Sequence, residues 1–509
     1  MRNRMLTHEP DVLRSRPPAR RTFRLGTFFA GTAGLLASCG TPGVRGVAGT
    51  APAPNVAWTP PRAPAAPRHP PPPELPPDLA SRIAQLTLTD VIDIALRNNT
   101  TTSAAWADAR SAAASYGAAK GQYYPTVVLD GTAQAIKRIA SGGVGAAKQQ
   151  SFGPSLNVSW LLLDFGGRSG SIGVAREALL AADWTHNATL QTVVLGVQQA
   201  YFLYMGTKAL LDAQQTTLTE AQTNLEAAEQ RHRVGLATIA DVLQAKTALS
   251  QARLALESTQ GNLQTTRGAL ALSMGLPANV PYDIAVSPDT TVPLGIVESV
   301  DTLIARAVRE RPDLSAQRAL VEQARARVSV ARSQALPSLS VGGTTNQTYF
   351  VHNPPTPPPP SGNGYTATLT LAIPIFSGWS QIYNAKAASA AADAAALRAQ
   401  GFEQQVVYQV FNAYYALRTS TQQVRTSRDL LTSATESEQV ALGRYKAGAG
   451  SLLDLLTAQA ALASARAQAI QARFSWNSAL AQLAHDVGIL GLDGSSPLQM
   501  QTDSTGTPK

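Results

Sequence analysis

The feature that most constrains this 509-residue chain is an internal duplication. When the sequence is aligned with itself at an offset of about 213 residues, many aligned positions of the two halves carry identical residues. The alignment needs no gap from Val197 to Gly488. The matched pairs include Val197 with Val410, Tyr201 with Tyr414, Arg231 with Arg444, Gly235 with Gly448, Asp241 with Asp454 and Gly275 with Gly488. This period is far longer than the 20–50 residues of solenoid repeats. The chain therefore contains two copies of one large architectural unit.

The N-terminus has the outline of a secretory signal. Residues 1–70 contain ten arginines and only two carboxylates, so nearly all of the net charge of +9 lies there. A short apolar run follows and ends in Leu36-Ala-Ser-Cys39, which resembles a bacterial lipobox. We predict a signal peptide over 1–38, and a diacylglycerol and an N-acyl chain on Cys39, the only cysteine. The alternative is an incidental cysteine in a discarded leader.

Composition also bears on the partners. Residues 39–78 are rich in proline and alanine, which predicts an extended linker between the lipidated N-terminus and the folded body. A basic block confined to one end is typical of a targeting segment, and no nucleic-acid-binding motif is present, so nucleic acid is not expected as a partner. No catalytic, metal-ligand or cofactor motif stands out, and we expect neither an enzyme nor a cofactor.

The duplicated body divides into two units, 79–280 and 301–490, joined by a connection over 281–300 and followed by a tail over 491–509. Each unit has the same predicted order: a helix, two strands, a very long helix, a turn and a second long helix. The long helices are predicted at Ser171–Arg231, Ile239–Met274, Ser380–Lys446 and Leu452–Val487. Helices of about 60 residues measure roughly 90 Å, far more than one globular domain needs.

The strands form two predicted hairpins, at about 126–164 and 338–376. Apolar residues alternate with Thr, Ser, Asn and Gly, and the polar face carries almost no charge. A soluble sandwich would also alternate, but uncharged strands of about ten residues with long loops favour a transmembrane barrel. Four strands cannot close a barrel, and an open edge is not tolerated in lipid. We therefore expect a barrel shared between chains, with a multiple of four strands.

A matched turn joins the two long helices of each unit, at about 231–241 and 444–454. Glycine is suited to end a helix in the left-handed region, and Ser or Thr to cap the next one. A carboxylate in the first turn is favoured by the helix dipole. These three roles are predicted for Gly235 and Gly448, for Thr238 and Ser451, and for Asp241 and Asp454.

Over about 80–490 the sequence resembles the TolC-like outer membrane efflux protein family. The turns carry the resemblance, together with Trp160-Leu-Leu-Leu-Asp-Phe-Gly-Gly and Pro374-Ile-Phe-Ser-Gly, which look like the family's strand-to-helix junctions. Arg311-Pro-Asp-Leu, Tyr123-Tyr-Pro125 and Ala335-Leu-Pro337 look like its helix-to-strand approaches. Cys39 places the chain nearer the family's lipid-anchored branch.

The resemblance implies an α+β fold in which three chains share a 12-stranded transmembrane β-barrel, continued by a long α-helical barrel across the periplasm. It implies an outer-membrane exit duct that works with a periplasmic adaptor and an inner-membrane transporter, for small molecules such as drugs or toxic compounds. The alternative with the same fold is the outer-membrane component of a type I protein secretion system. A structural periplasmic lipoprotein with long coiled coils is the alternative from another class, and the alternating strands oppose it.

The resemblance also points to a periplasmic gate formed by Asp241, Tyr445 and Asp454. Tyr445 would pair with Asp241, and a ring of three Asp454 side chains would favour cations and raise its own pKa values. The plainer alternative is that these aspartates only stabilise helix starts. This sequence departs from the family pattern at Gly450, where some relatives carry a basic residue that helps to hold the closed state. In this chain Lys446 or Arg233 could take over that role.

The same turns would contact the adaptor. The expected adaptor-contact residues are Gly235, Leu236, Thr238, Gly448, Gly450 and Ser451. Ordinary turn chemistry explains the same residue types, and both roles are compatible.

Overall fold

The computed structural model describes residues 83, 85–139, 145–285, 293–351, 361–491 and 500–502. The predicted signal peptide, Cys39 and the proline-rich linker lie outside the described residues. The helices are α1 (Leu88–Asn98), α2 (Thr100–Lys120), α3 (Gly167–Arg233), α4 (Ile239–Ser273), α5 (Val300–Glu310), α6 (Pro312–Ser333), α7 (Ser380–Lys446) and α8 (Leu452–Val487). The strands are β1 (Thr126–Ile139), β2 (Gly145–Leu163), β3 (Pro293–Ile296), β4 (Ser338–Val351), β5 (Gly362–Ala372) and β6 (Met500–Thr502).

The single helix predicted at the start of each unit is in fact two helices. The chain is extended at Asn99, between α1 and α2, and at Arg311, between α5 and α6. Pro312 is the first residue of α6, where its fixed φ and missing N–H fit a helix start, and it disfavours helical backbone at Arg311. The prediction that Arg311-Pro marks the approach to a strand is therefore wrong, since β4 begins only at Ser338.

The two hairpins form one antiparallel sheet in the order β1-β2-β4-β5. The register pairs Val127 with Val158 on one face, and Asn157 with Thr344 on the other. The strands are longer than predicted, because the backbone ladder continues through the polar residues at the loop ends. The outer edges of β1 and β5 carry no partner strand in the described part of the chain.

The two faces of the sheet differ in polarity. One face exposes large apolar side chains, among them Leu129 at 74% and Leu369 at 67% of its full area. On the opposite face a chain of hydrogen bonds crosses three strands: Asn157 donates to Asp130 over 2.6 Å, and Thr344 donates to Asn157 over 2.7 Å. The alternation predicted from sequence is confirmed, and the apolar face is left uncovered within one chain.

Each long helix begins at a sharp corner after its strand. Two consecutive residues adopt left-handed backbone at both corners, Phe165-Gly166 and Gly378-Trp379. At the first corner Arg168 donates from its guanidinium to the Leu162 carbonyl over 2.9 Å. Left-handed backbone is costly for Phe and Trp, so these corners are held by their surroundings and confirm the predicted strand-to-helix junctions.

The helices pack side by side in a fixed order. Helices α3 and α7 each have 67 residues, which corresponds to about 100 Å. Near the sheet the order of contacts is α2-α3-α6-α7, and at the far end it is α4-α3-α8-α7. One lateral edge of the chain is thus formed by β1, α2 and α4, and the other by β5 and α7. No helix in the described part of the chain is long and apolar enough to cross a membrane.

The main core lies midway along the long helices, where α1, α4, α5 and α8 pack against α3 and α7. Its members include the fully buried Ile94, Val197, Leu270, Leu303 and Leu483. Strands β3 and β6, which the sequence did not predict, pair here and join the inter-repeat connection to the tail. Beyond this core, the apolar packing of each helix pair is limited to small clusters.

A polar cluster fastens the inter-repeat connection to α3 beside this core. Lys208 forms an ion pair with Asp283 at 2.8 Å, and the Tyr204 hydroxyl donates to the same carboxylate at 3.2 Å. Burial, followed by the Asp283 charge, raises the pKa of Tyr204 to about 12. The phenol therefore stays protonated and keeps its hydrogen bond at any physiological pH.

Candidate functional site

The turns at the far end of the helix pairs have the geometry predicted from sequence. Gly235 and Gly448 adopt φ values of +79° and +73°. After Gly235, the Leu236 N–H donates to the Arg231 carbonyl over 2.8 Å; after Gly448, the Ala449 N–H donates to the Arg444 carbonyl over 2.9 Å. These bonds satisfy carbonyls that the helix end leaves free, as a left-handed helix cap requires. The conformational part of the prediction for both glycines is confirmed.

The return helices begin with matched capping boxes. Thr238 accepts from the Asp241 N–H over 3.2 Å, and the Asp241 carboxylate accepts from the Thr238 N–H over 2.8 Å. Ser451 and Asp454 repeat the arrangement, with 3.1 Å and 3.3 Å. Both predicted caps and both first-turn carboxylates are confirmed. The two halves of the duplication therefore present nearly identical turns.

These caps shift the pKa values of both aspartates. The pKa of Asp241 is lowered by the hydrogen bond from the Thr238 backbone and then by that from its hydroxyl. The pKa of Asp454 is lowered first by the Ser451 side chain and then by its backbone. Within one chain the shift is thus opposite to the one expected for a ring of three Asp454 carboxylates, which no single chain contains.

Replacing Thr238 by alanine is expected to loosen the start of α4. The loss of one N-cap costs about 1 kcal/mol, which would speed amide exchange in the first turn about fivefold. Hydrogen exchange of the peptide that begins at Thr238 measures this effect. Thr247→Ala is the control, since Thr247 is exposed in the interior of the same helix and only bonds the Leu243 carbonyl. Equal exchange in both variants would contradict the role of the cap.

The contribution of the Asp241 carboxylate should depend on pH in a defined direction. Its pKa is lower folded than unfolded, so its stabilisation is complete above about pH 4, the ordinary range of aspartate, and is lost as the pH falls through the folded pKa. Exchange of this turn, corrected for its intrinsic rate, should therefore rise on acidification in the wild type. The exchange rate should change less in Asp241→Asn, which has no carboxylate to protonate. An equal rise in the wild type and in this variant would show that protonation of Asp241 does not destabilise the turn.

Tyr445 does not pair with Asp241 within the chain, and this part of the prediction is wrong for one chain. The capping box holds the Asp241 carboxylate at the start of its own helix. Tyr445 is 7% exposed and packs with Ala228, Ala245 and Leu455 where the two helix pairs meet. Its position thus joins the two halves of the chain, but through packing.

Arg231 is the residue that sequence reasoning missed. Its guanidinium carbon lies 4.1 Å from the centre of the Tyr445 ring, and its Nη2 donates to the Tyr445 carbonyl over 3.1 Å. This contact joins the two repeats, whereas the prediction that Lys446 or Arg233 helps to hold a closed state stays a prediction. The signal was available, because Arg231 matches Arg444 in the duplication and therefore lies level with Tyr445.

The remaining predicted residues lie at the ends of the molecule's helix pairs. Leu236 is 78% exposed, and Thr238 and Ser451 are also exposed. Gly450 is half-buried, and a Cβ there would lie 3.1 Å from the Arg444 Cβ. A side chain at this position would require Arg444 to shift by a few tenths of an ångström.

Two polar contacts tie α3 to α8 behind the turns. Asn224 donates to Gln459, and Arg466 forms an ion pair with Glu220 at 3.2 Å. A cavity of about 330 Å³ lies beside them and is lined mainly by alanine. Among the described residues, no cluster of three or more His, Cys, Asp or Glu side chains is placed to hold a metal ion.

This sequence has bacterial relatives, several of which are named as outer-membrane proteins. It is 30% identical over 426 residues to Protein CyaE of Bordetella pertussis, covering 83% of this chain and 88% of that one. It is 26% identical over 385 residues to Outer membrane protein OprJ of Pseudomonas aeruginosa, covering 75% and 80%.

Solved structures share the fold. The outer-membrane channel OprN superimposes with a TM-score of 0.70 at 19% identity, over 80% of this chain and 90% of that chain. The CmeC outer membrane channel of Campylobacter jejuni gives 0.68 at 20%, over 79% and 85%. These matches show the α+β duplicated channel fold.

The profile of the family described as "Outer membrane efflux protein" matches residues 91–276 and 303–488, one match for each copy of the duplication. These segments include both turns, both strand pairs and the main core. The chain belongs to the outer membrane efflux protein family.

Proposed function

We propose that three copies of this chain form an exit duct across the outer membrane and the periplasm, which passes small molecules such as drugs or toxic compounds out of the cell. The observation that carries the proposal is the pair of unpaired edges on β1 and β5 beside a sheet face that is apolar and uncovered. In lipid neither an open edge nor an unsatisfied backbone group is tolerated.

The two lateral edges of the chain fit a closed ring. One edge consists of β1, α2 and α4, and the other of β5 and α7, so each copy would meet the next head to tail. Head-to-tail contacts of this kind form a closed ring when a full turn is a whole multiple of the rotation from one subunit to the next. Three copies supply twelve strands, which exceeds the minimum of eight for a membrane barrel. The hydrogen-bonded face around Asn157 would line the lumen, and the apolar face would meet lipid.

The partners and cargo are proposed from the relatives. Similar proteins include "Probable efflux pump outer membrane protein TtgC" and "Antibiotic efflux pump outer membrane protein ArpC", each 24% identical. By analogy the exposed turns, with Leu236 and the two capping boxes, would contact a periplasmic adaptor that links the duct to an inner-membrane transporter. The family consists of channels, and we assign this chain no catalytic step.

A lipid anchor on Cys39 would hold the N-terminus to the membrane through the proline-rich linker. Incorporation of labelled palmitate into the wild type, and none into Cys39→Ser, would support this part of the proposal. Equal incorporation would exclude it.

Single-channel conductance of the purified oligomer in a planar bilayer, with its mass determined alongside, tests the proposal. Small, cation-preferring currents from a trimer are expected. A soluble monomer or rod without currents would favour the structural lipoprotein instead. Deletion of the gene that encodes this chain should then make cells more sensitive to toxic small molecules. Loss of a secreted protein without any change in sensitivity would favour type I secretion.

The gate role of Asp454 has its own expected result. Asp454→Ala removes three carboxylates from the narrow end of the proposed duct, so its preference for cations over anions should fall several-fold. The reversal potential under a salt gradient measures this preference. Asp301→Ala is the control, because Asp301 is exposed at the start of α5, away from the turns. Unchanged selectivity in Asp454→Ala would leave Asp454 with its capping role alone.

A further inference from the structure

The ends of the sheet that face the helices carry a belt of exposed aromatic side chains. We call residues 116–125, 164–170, 327–337 and 373–386 the periplasmic rim; they flank the strand ends where α2 and α6 enter the sheet and α3 and α7 leave it. Six aromatic side chains of the rim are 46–73% exposed: Tyr123, Tyr124, Phe165, Phe376, Trp379 and Tyr383. Aromatic side chains at such a boundary are typical of the interface between a membrane and water.

The same rim is cationic. It contains five basic residues, Lys120, Arg168, Arg327, Arg332 and Lys386, and one carboxylate, Asp164. Asp164 is already engaged, since it lies 3.5 Å from the Arg168 guanidinium. The body after residue 70 is close to neutral, so this excess of positive charge is concentrated at the rim.

The four other cations are exposed and available. In the described part of the chain, no carboxylate lies within ion-pair distance of Lys120, Arg327, Arg332 or Lys386. Lys120 lies 4.1 Å over the Tyr116 ring, and Lys386 lies 5.6 Å over Tyr383. The two lysine side chains thus rest near aromatic rings, while Arg327 donates from Nη2 to Gln323 Oε1 over 3.4 Å.

The duplication places two of these cations at corresponding positions of the two repeats. Lys120 and Arg332 lie 212 residues apart, and each is in the last turn of the helix that enters the sheet. The helix dipole stabilises a cation at the C-terminal end of a helix, and this effect alone would explain the presence of Lys120 and Arg332. It does not explain Lys386, which lies in the second turn of α7, toward the positive end of the helix.

Two open cavities in the rim offer space for a headgroup, and Arg327 is the one of the four cations that lines either of them. A cavity of about 450 Å³ is lined by Arg327, Gln334 and Asn384, among others. A second cavity of about 560 Å³ shares Gln334 and is lined by Ser333, Leu336 and Ile373. The second cavity is also lined by the Asp164 carboxylate, which Arg168 pairs at 3.5 Å. Across the two cavities, cation, amide and hydroxyl donors lie next to apolar surface, the combination that a phosphodiester with acyl chains requires.

We propose that the periplasmic rim binds the headgroups of anionic phospholipids in the leaflet that faces the periplasm. Lys120, Arg327, Arg332 and Lys386 would contact the phosphodiester, while the aromatic belt and the apolar sheet face contact the acyl chains. The inference rests on the membrane placement of the sheet, and it is independent of the exported substrate.

The test measures lipid retained by the intact oligomer. The purified full-length protein is equilibrated in vesicles of equal parts phosphatidylglycerol and phosphatidylcholine, extracted in mild detergent and analysed by native mass spectrometry. Phosphatidylglycerol should be enriched on the wild type, and the enrichment should fall about fivefold or more in Lys120→Gln/Arg332→Gln. Lys120→Arg/Arg332→Lys should retain it. Arg253→Gln, at an exposed position on α4 far from the rim, is the charge control and should not change it.

Two outcomes would overturn the inference. One is equal retention of the two lipids by the wild type; the other is an equal loss in the rim variant and in Arg253→Gln. If the double variant fails to assemble, the wild type alone decides, because added salt should lower the enrichment if it is electrostatic. Conductance measured on the same preparations separates this result from the duct: an oligomer that conducts without preferring phosphatidylglycerol refutes only the lipid site.

Discussion

Replacing Arg231 by alanine is expected to raise the conductance of the reconstituted oligomer several-fold. Arg231 stacks on Tyr445 and donates to its carbonyl, and so joins the first helix pair to the second at the narrow end of the proposed duct. A stacked cation and a charged hydrogen bond contribute about 2 kcal/mol together. Their loss would shift a closed-to-open equilibrium about thirtyfold in each chain.

The controls separate this contact from a general change in charge. Arg231→Lys keeps the positive charge but lacks the planar guanidinium that stacks on the Tyr445 ring, so a conductance between those of the wild type and Arg231→Ala is expected. Arg253→Ala removes an exposed arginine from α4 and should conduct like the wild type. If Arg231→Ala also conducts like the wild type, the contact does not restrain the gate, and the small cluster around Tyr445 must hold it by packing alone.

Replacing Gly275 or Gly488 by alanine is expected to destabilise the main core by about 3 kcal/mol. Both glycines end a return helix with positive φ, +74° and +84°, and they are equivalent in the duplication. A Cβ on Gly275 would lie 2.7 Å from the Asn98 carbonyl oxygen, and one on Gly488 would lie 3.0 Å from the Arg311 Cα. Left-handed strain of about 1 kcal/mol adds to the cost of overpacking.

Gly235 and Gly448 provide matched controls for this prediction. They also have positive φ, but a Cβ there would meet no atom within 4 Å. Gly235→Ala and Gly448→Ala should therefore cost only the backbone strain. The urea midpoint for loss of helix, measured by circular dichroism, compares the four variants. Equal midpoints would show that the backbone at the breaks after Asn98 and Glu310 yields to the added methyl.

Part of the fold could be predicted because it depends on local patterns. Alternating side chains identified the strand pairs, and the Gly, Thr or Ser, and Asp of each turn specified a left-handed end and a capping box. The break at Arg311 was misassigned, because the proline that follows it was interpreted as the approach to a strand. The break at Asn99, whose side chain caps α2, was missed. The pairing of β3 with β6 was missed because it joins two short segments that are distant in the chain.

The residues of the candidate site also fall into two groups, those that the sequence predicted and those that only the structure identified. Asp241 and Asp454 owe their geometry to residues three positions away, so the sequence placed them correctly. The partner of Tyr445 depends on how two helix pairs from different repeats align, and only the structure identified Arg231.

The sequence by itself determined the duplication, the uncharged alternating sheet and the chemistry of the turns, because these depend on neighbouring residues and on spacing along one element. Only the tertiary structure decided which edges remain open, which glycines meet another backbone, and how the cations of both repeats gather at the periplasmic rim. Those properties depend on the packing of segments some 200 residues apart, and no local pattern encodes that packing.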